Sequence, residues 1–173
     1  MPRLSASSRQ FLYLLLPCTC LKLLTKAPKR MEKEISILLI ENMEGNRLAG
    51  QERLEQPGEH NEMVVLHNMQ TAIAYLNKEG NYSNVKTPGL IFIDFKLSEM
   101  NAMELLSYIK TTKKIKAIPV IIFSSSWTKN QIAACYQNHA NCIITKPVNF
   151  EKFLALMETI KDFWINIAEL PKI

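Results

Sequence analysis

Five short, nearly continuous apolar runs, separated by stretches in which apolar residues recur at helical spacing, decide what this chain can fold into. The runs are Ile35-Ser36-Ile37-Leu38-Leu39-Ile40, Met63-Val64-Val65-Leu66-His67, Leu90-Ile91-Phe92-Ile93, Val120-Ile121-Ile122-Phe123 and Cys142-Ile143-Ile144. A strand that is apolar on both faces must be covered on both faces, which calls for a parallel sheet with helices on either side. The intervening segments read as those helices. Residues 45–56, with Leu48 and Leu54 among polar residues, are weakly amphipathic, and Ala72, Ile73, Tyr75 and Leu76 mark a second helix. Met103, Leu105, Leu106, Tyr108 and Ile109 mark a third, and residues 128–139, with Ile132 and Ala133 inward, a fourth. The last and longest runs from Phe150 to Ile167, with Phe153, Leu154, Leu156, Met157, Ile160, Phe163 and Trp164 on its apolar face. Residues 80–88 are a loop by composition.

Strand-then-helix repeated five times gives an α/β fold. Right-handed crossovers lead to a doubly wound, three-layer α/β/α sandwich, and five strands favour the flavodoxin-like order 2-1-3-4-5. In such sheets ligands bind outside the carboxyl ends of the strands, so the residues that close the runs are the ones that carry chemistry. They are Glu41-Asn42, Asp94, Ser124-Ser125-Ser126 and Thr145-Lys146-Pro147. The turn after the first strand, Asn42-Met43-Glu44-Gly45-Asn46, has a single glycine, which argues against a dinucleotide or P-loop site. None of His60, His67 and His139 falls beside Ser124, so no Ser-His-Asp arrangement is visible. A carboxylate, an ammonium and a hydroxyl converging with further oxygen ligands suit a carboxylate nucleophile attacking a phosphoryl group. Asp94 would carry the phosphoryl group, and Lys146 and Ser124 would bind its oxygens beside a magnesium ion.

At these residues the chain resembles the receiver domains of two-component response regulators. The resemblance runs from about Ile35 to Trp164 and rests on Ile40-Glu41, the run ending in Asp94, Ile118-Pro119 through Ser124, and Thr145-Lys146-Pro147, in order and at the family's spacing. It implies that Asp94 is the phosphoacceptor, Ser124 the switch hydroxyl and Lys146 the site lysine, preceding a cis peptide to Pro147. Glu41, Asn42, Asp94 and the backbone carbonyl of Lys96 would hold Mg2+. Asn42 stands where the family's main metal-binding aspartate stands, and an amide oxygen brings no charge, so the resemblance implies weakened magnesium affinity. The cation of Lys96 would crowd or partly replace the ion. Ile143 occupies the place of the switch aromatic, and Ser98 and Ala102 replace the usual Pro and Gly. The loop 80–88 and the tail from Phe163-Trp164 to Leu170-Pro171 are similar to stand-alone regulators associated with bacterial phytochromes. The implied partner is a sensor histidine kinase of phytochrome type, a homodimer being admissible. The implied protein is no enzyme beyond assisting its own phosphotransfer and dephosphorylation. With nine residues after Trp164, its output would be a protein contact or onward phosphotransfer.

Charge and cysteine usage bound the alternatives. The formal charge is +5, but residues 1–30 hold six basic residues and no acid, leaving 15 basic against 16 acidic residues in the rest. A nucleic-acid partner loses its support. No apolar run is long enough for an ordinary membrane span. Residues 1–30 form a basic, apolar leader apart from the receiver domain at 31–173. The favoured expectation is a native start at Met31, with a secretory signal or short anchor as alternatives. Cys135 and Cys142 read as buried thiols rather than a disulfide, in keeping with a cytoplasmic protein. The rival functions are a non-phosphorylated pseudo-receiver acting as a protein-binding module and a small flavodoxin-like enzyme.

Overall fold

The computed structural model describes residues 35–41, 62–96 and 102–171, all within one unit, Glu32–Ile173. The leader expected at 1–30, the helix expected over 45–56, Asn42 and Ser98 lie outside the described residues. The five expected strands all form: β1 (Ser36–Ile40), β2 (Glu62–Leu66), β3 (Leu90–Asp94), β4 (Val120–Ser124) and β5 (Cys142–Thr145). They pair in parallel in the order β2-β1-β3-β4-β5. Every residue of β1, β3 and β4 is buried, whereas β2 and β5, at the sheet edges, are only partly covered. Unbroken apolar runs are thus the signature of the three central strands.

Alternation sorts the strand residues between two cores. Leu38, Ile40, Ile91, Ile93, Val120 and Ile122 pack with α1 (Met69–Asn77), α2 (Ala102–Thr111) and Cys135 of α3 (Lys129–Gln137). Ile37, Leu39, Leu90, Phe92, Ile121 and Phe123 pack on the other face with Phe153, Met157 and Ile160 of α4 (Phe150–Lys161). Polar caps start three of these helices. Asn68 accepts from the Thr71 N–H, Thr128 forms a reciprocal capping box with Gln131, and Asn149 accepts from the Lys152 N–H; each cap satisfies an orphan N–H.

Three expectations about local packing are corrected. Ala133 faces solvent, and Cys135 is the buried residue of α3 with Ile132 half-buried beside it. Positions 133 and 135 lie about 200° apart on a helix, so both cannot face the core. At the chain's end α4 passes into a π-helical turn, Asp162–Ile167. The wider i→i+5 turn carries the inward face from Ile160 to Ile165, leaving Phe163 50% exposed and taking Ile165 into the core. Within 80–88 the chain also makes a short 3₁₀ turn, Gly80–Tyr82. Cys135 and Cys142 are free thiols belonging to opposite cores of the sheet, and burial pushes both pKa values up.

Candidate functional site

Parallel pairing brings the carboxyl ends of β1, β3, β4 and β5 to one edge of the sheet, and the polar residues that close those strands meet there. Four of them are buried: Glu41, Asp94, Ser124 and Lys146. Lys146 lies just beyond β5, its backbone N–H donating to the Ser124 carbonyl at 2.8 Å. That bond fixes the origin of a side chain that crosses beneath the ends of β4 and β3. Its ammonium donates to Asp94 Oδ2 at 2.7 Å and to Glu41 Oε2, and passes 5.9 Å from the centre of the Phe123 ring. Residues 52 and 105 positions apart from Lys146 are thereby joined in one buried ion cluster.

A buried cluster of this kind is held by its hydrogen bonds, since desolvating three charges is costly. The second Asp94 oxygen, Oδ1, accepts from the Lys96 N–H at 2.8 Å. Glu41 is placed by its own N–H donating to the Leu66 carbonyl at 3.1 Å, and its carbonyl lies 3.2 Å from His67 Nδ1. Sequence reasoning set His67 aside because it is not beside Ser124. Its place at the end of the second run was the signal that it would reach the same edge.

The Ser124 hydroxyl is engaged within its own loop, donating to the Ser126 carbonyl at 2.8 Å. The Lys96 ammonium is likewise engaged away from Asp94, donating to the hydroxyls of Ser125 at 2.9 Å and Ser126 at 3.2 Å. Ser125 and Ser126, expected to be ordinary loop residues, thus hold a side chain of the neighbouring loop. Two aromatic residues missed by the sequence reading flank this contact. Phe95 and Trp127 pack at 4.9 Å between ring centres, and the Trp127 indole N–H donates to the Ile144 carbonyl at 3.2 Å. Ile143 is half-buried and packs against the core on the α1–α2 side.

The Lys146–Pro147 peptide is trans, which corrects the expected cis bond. The tertiary amide prefers trans by about 0.5–1 kcal/mol unless packing selects otherwise. Here Val148, directly after the proline, is fully exposed, and Lys146 reaches both acids without the cis form.

The donor set suits a hard divalent cation. Glu41 and Asp94 offer carboxylate oxygens that share the Lys146 ammonium. No group of three or more His, Cys, Asp or Glu side chains occurs among the described residues, so further ligands would come from backbone, amide or water oxygens. Among the described residues no helix is long and apolar enough to cross a membrane.

Comparison with known proteins identifies the family. The chain is similar to the response regulator Rcp1 of Synechocystis sp., 31% identical over 135 residues that span 78% of this chain and 92% of Rcp1. Among solved structures it is similar to the phosphorylated cyanobacterial phytochrome response regulator RcpA, with a TM-score of 0.77 and 33% identity over 81% of this chain and 100% of that one. The Mn(2+)-bound form of Rcp1 follows with a TM-score of 0.75 and 30% identity, covering 80% of this chain and 99% of Rcp1. Residues 37–158 match the response regulator receiver domain, and the chain belongs to that family.

Proposed function

We propose that this receiver domain accepts a phosphoryl group on Asp94 from a sensor histidine kinase, of phytochrome class, and passes the signal to a protein partner in the cytoplasm. The observation that carries the reading is the buried Lys146 ammonium shared by Glu41 and Asp94. In the transfer, an Asp94 carboxylate oxygen forms the new P–O bond. The P–N bond of the donor phosphohistidine breaks, and its electron pair stays on the imidazole nitrogen. Lys146, already 2.7 Å from Oδ2, is placed to follow the charge onto the phosphoryl oxygens. Ser124 is the hydroxyl that turns toward the phosphoryl group, trading the Ser126 carbonyl for it.

Mg2+, when bound, neutralises phosphoryl charge and aligns the transferring group. Glu41, Asn42, the Asp94 carboxylate and the Lys96 carbonyl are the residues that would hold it, with affinity lowered because Asn42 contributes no charge. The relation to Mn(2+)-bound Rcp1 supports a divalent-cation site of this kind. Ile143 replaces the switch aromatic, so rearrangement on that side is borne by other residues. The same site assists loss of the phosphoryl group to water. A second copy of the chain is an admissible further partner. The paired acids and lysine weigh against a decayed, purely binding pseudo-receiver, in which nothing would keep such a costly cluster buried.

Beryllofluoride, a phosphoryl mimic, tests the reading by 19F NMR on the full chain with magnesium. Bound fluoride resonances that vanish in Asp94→Ala are expected. Their absence from the folded wild-type protein at millimolar magnesium would restore the binding-module reading.

A further inference from the structure

At the amino end of the sheet a cavity of about 620 Å3 lies between the end of α1 and the segment that follows α2. Its floor is aliphatic, made by the buried Leu76 and Ile115, and Asn77, Thr87 and Thr112 give it polar walls. Lys78 lines it from the α1 side and Lys114 from the α2 side. The acid of the rim, Glu79, is tied to Asn77, whose Nδ2 donates to its Oε1 at 2.8 Å. The Asn77 Oδ1 accepts from the Tyr108 hydroxyl at 2.5 Å, so both ends of that amide are engaged.

Lys114 belongs to the segment 110–116, which holds four lysines and no acid. Lys110 turns inward to neutral oxygens. Lys78, Lys113, Lys114 and Lys116 are exposed, and their ammoniums have no acid partner among the described residues. A lysine after a helix is favourable by itself, because each helix end carries roughly half a negative charge. Four ammoniums nevertheless exceed what two helix ends and the carboxylates of Glu62 and Glu79 offset. This local surplus stands in a body that has more acids than bases over residues 31–173.

We propose that this end of the molecule docks an acidic peptide segment of a partner protein. The segment's carboxylates lie on Lys78, Lys113, Lys114 and Lys116, and one of its apolar side chains fills the cavity over Leu76 and Ile115. The lining favours a peptide over a nucleic acid, whose bases would call for an aromatic face to stack on; no aromatic residue lines this cavity. The surface lies at the opposite end of the strands from Asp94, so the inference stands apart from the phosphoacceptor reading.

The test is fluorescence anisotropy on the full chain, in EDTA, with a short peptide that carries a leucine between two runs of glutamate and a neutral fluorophore. Lys78→Gly/Lys114→Ala removes the two ammoniums that line the cavity, and glycine suits the left-handed backbone of position 78, where φ is 60°. Lys129→Ala/Lys152→Ala, in the first turns of α3 and α4, is the control at the other end of the sheet. Both pairs keep residues 1–30, so binding to that basic segment is common to both. The cavity pair should weaken the peptide about three- to tenfold and the control pair less than about twofold. Replacing the peptide's leucine by glycine should weaken it about tenfold in the wild-type chain. An affinity that the cavity pair leaves unchanged, or that both pairs lower equally, would overturn the proposal, as would a glycine peptide that binds as well as the leucine one. An oligothymidine that loses as much affinity as the peptide does in Lys78→Gly/Lys114→Ala would overturn it in favour of a general polyanion surface.

Discussion

Two lysines are drawn into opposite ends of the same sheet, and they do opposite work. Lys146, at the carboxyl end, faces the carboxylates of Glu41 and Asp94. Lys110, at the end of α2, faces neutral oxygens. Its ammonium donates to the carbonyl of Ile118 at 2.6 Å, to Asn141 Oδ1 at 2.9 Å and to the carbonyl of Lys116 at 3.4 Å. Asn141 Oδ1 also accepts from the Val120 N–H, so Lys110 ties α2 to the start of β4 and the approach to β5. Neutral acceptors satisfy the ammonium's donors without bringing charges of their own, and the result is a brace. Among the described residues two carboxylates face one ammonium, and this is the arrangement on which the proposed cation site rests. Lys146 is buried and Lys110 half-buried, and the partners each one faces separate their roles.

Substitutions at the two positions separate these roles. Lys146→Met should have the largest effect on stability, about 3–5 kcal/mol lost in urea unfolding, because it leaves buried acids without their cation. Part of that loss should return on adding magnesium. No recovery would mean that the acids do not form a cation site. Lys110→Met should cost about 1–2 kcal/mol through its lost hydrogen bonds, with no magnesium response and no change in phosphoryl labelling. A labelling defect there would break the distinction between brace and site. Asp94→Asn should leave stability unchanged or raise it by up to about 1 kcal/mol, since one acid then matches one lysine, as often happens when a functional group is removed.

The smallest effect is the pH dependence of the brace. Burial holds the Lys110 pKa below its ordinary value of 10.5. Between its lowered folded pKa and 10.5 the unfolded chain binds more protons at this position, so the group's contribution to stability rises with pH there. The stability difference between wild type and Lys110→Met should therefore grow in favour of wild type as pH climbs through that window. A difference that shrinks with pH would contradict the neutral-acceptor account.

The fold was legible because its main determinant is local and periodic. The runs 35–40, 90–93 and 120–123 could only be strands buried on both faces, and the order of the sheet followed from connection rules. That Glu41, Asp94, Ser124 and Lys146 come to one edge of the sheet was legible for the same reason, each closing or directly following a run. What escaped was whatever depends on side-chain direction across elements. Nothing in the local pattern says that Lys96 reaches Ser125 and Ser126, or that Trp127 meets Phe95, because those partners are about thirty residues apart. The inward turn of Ile165 escaped because a single π-helical turn changes the period on which the helical reading relied. The trans Lys146–Pro147 bond was missed because the cis form was carried over from the resemblance, and an exposed Val148 provides no packing to select it.

The most direct test of the central claim is the intact mass of the full chain after incubation with acetyl phosphate, with and without magnesium, beside Asp94→Ala. In that reaction the P–O bond of the donor breaks and acetate leaves. The account predicts a single phosphoryl adduct that requires both magnesium and Asp94. An adduct that persists in Asp94→Ala, or none at millimolar magnesium in the folded wild-type protein, would contradict it.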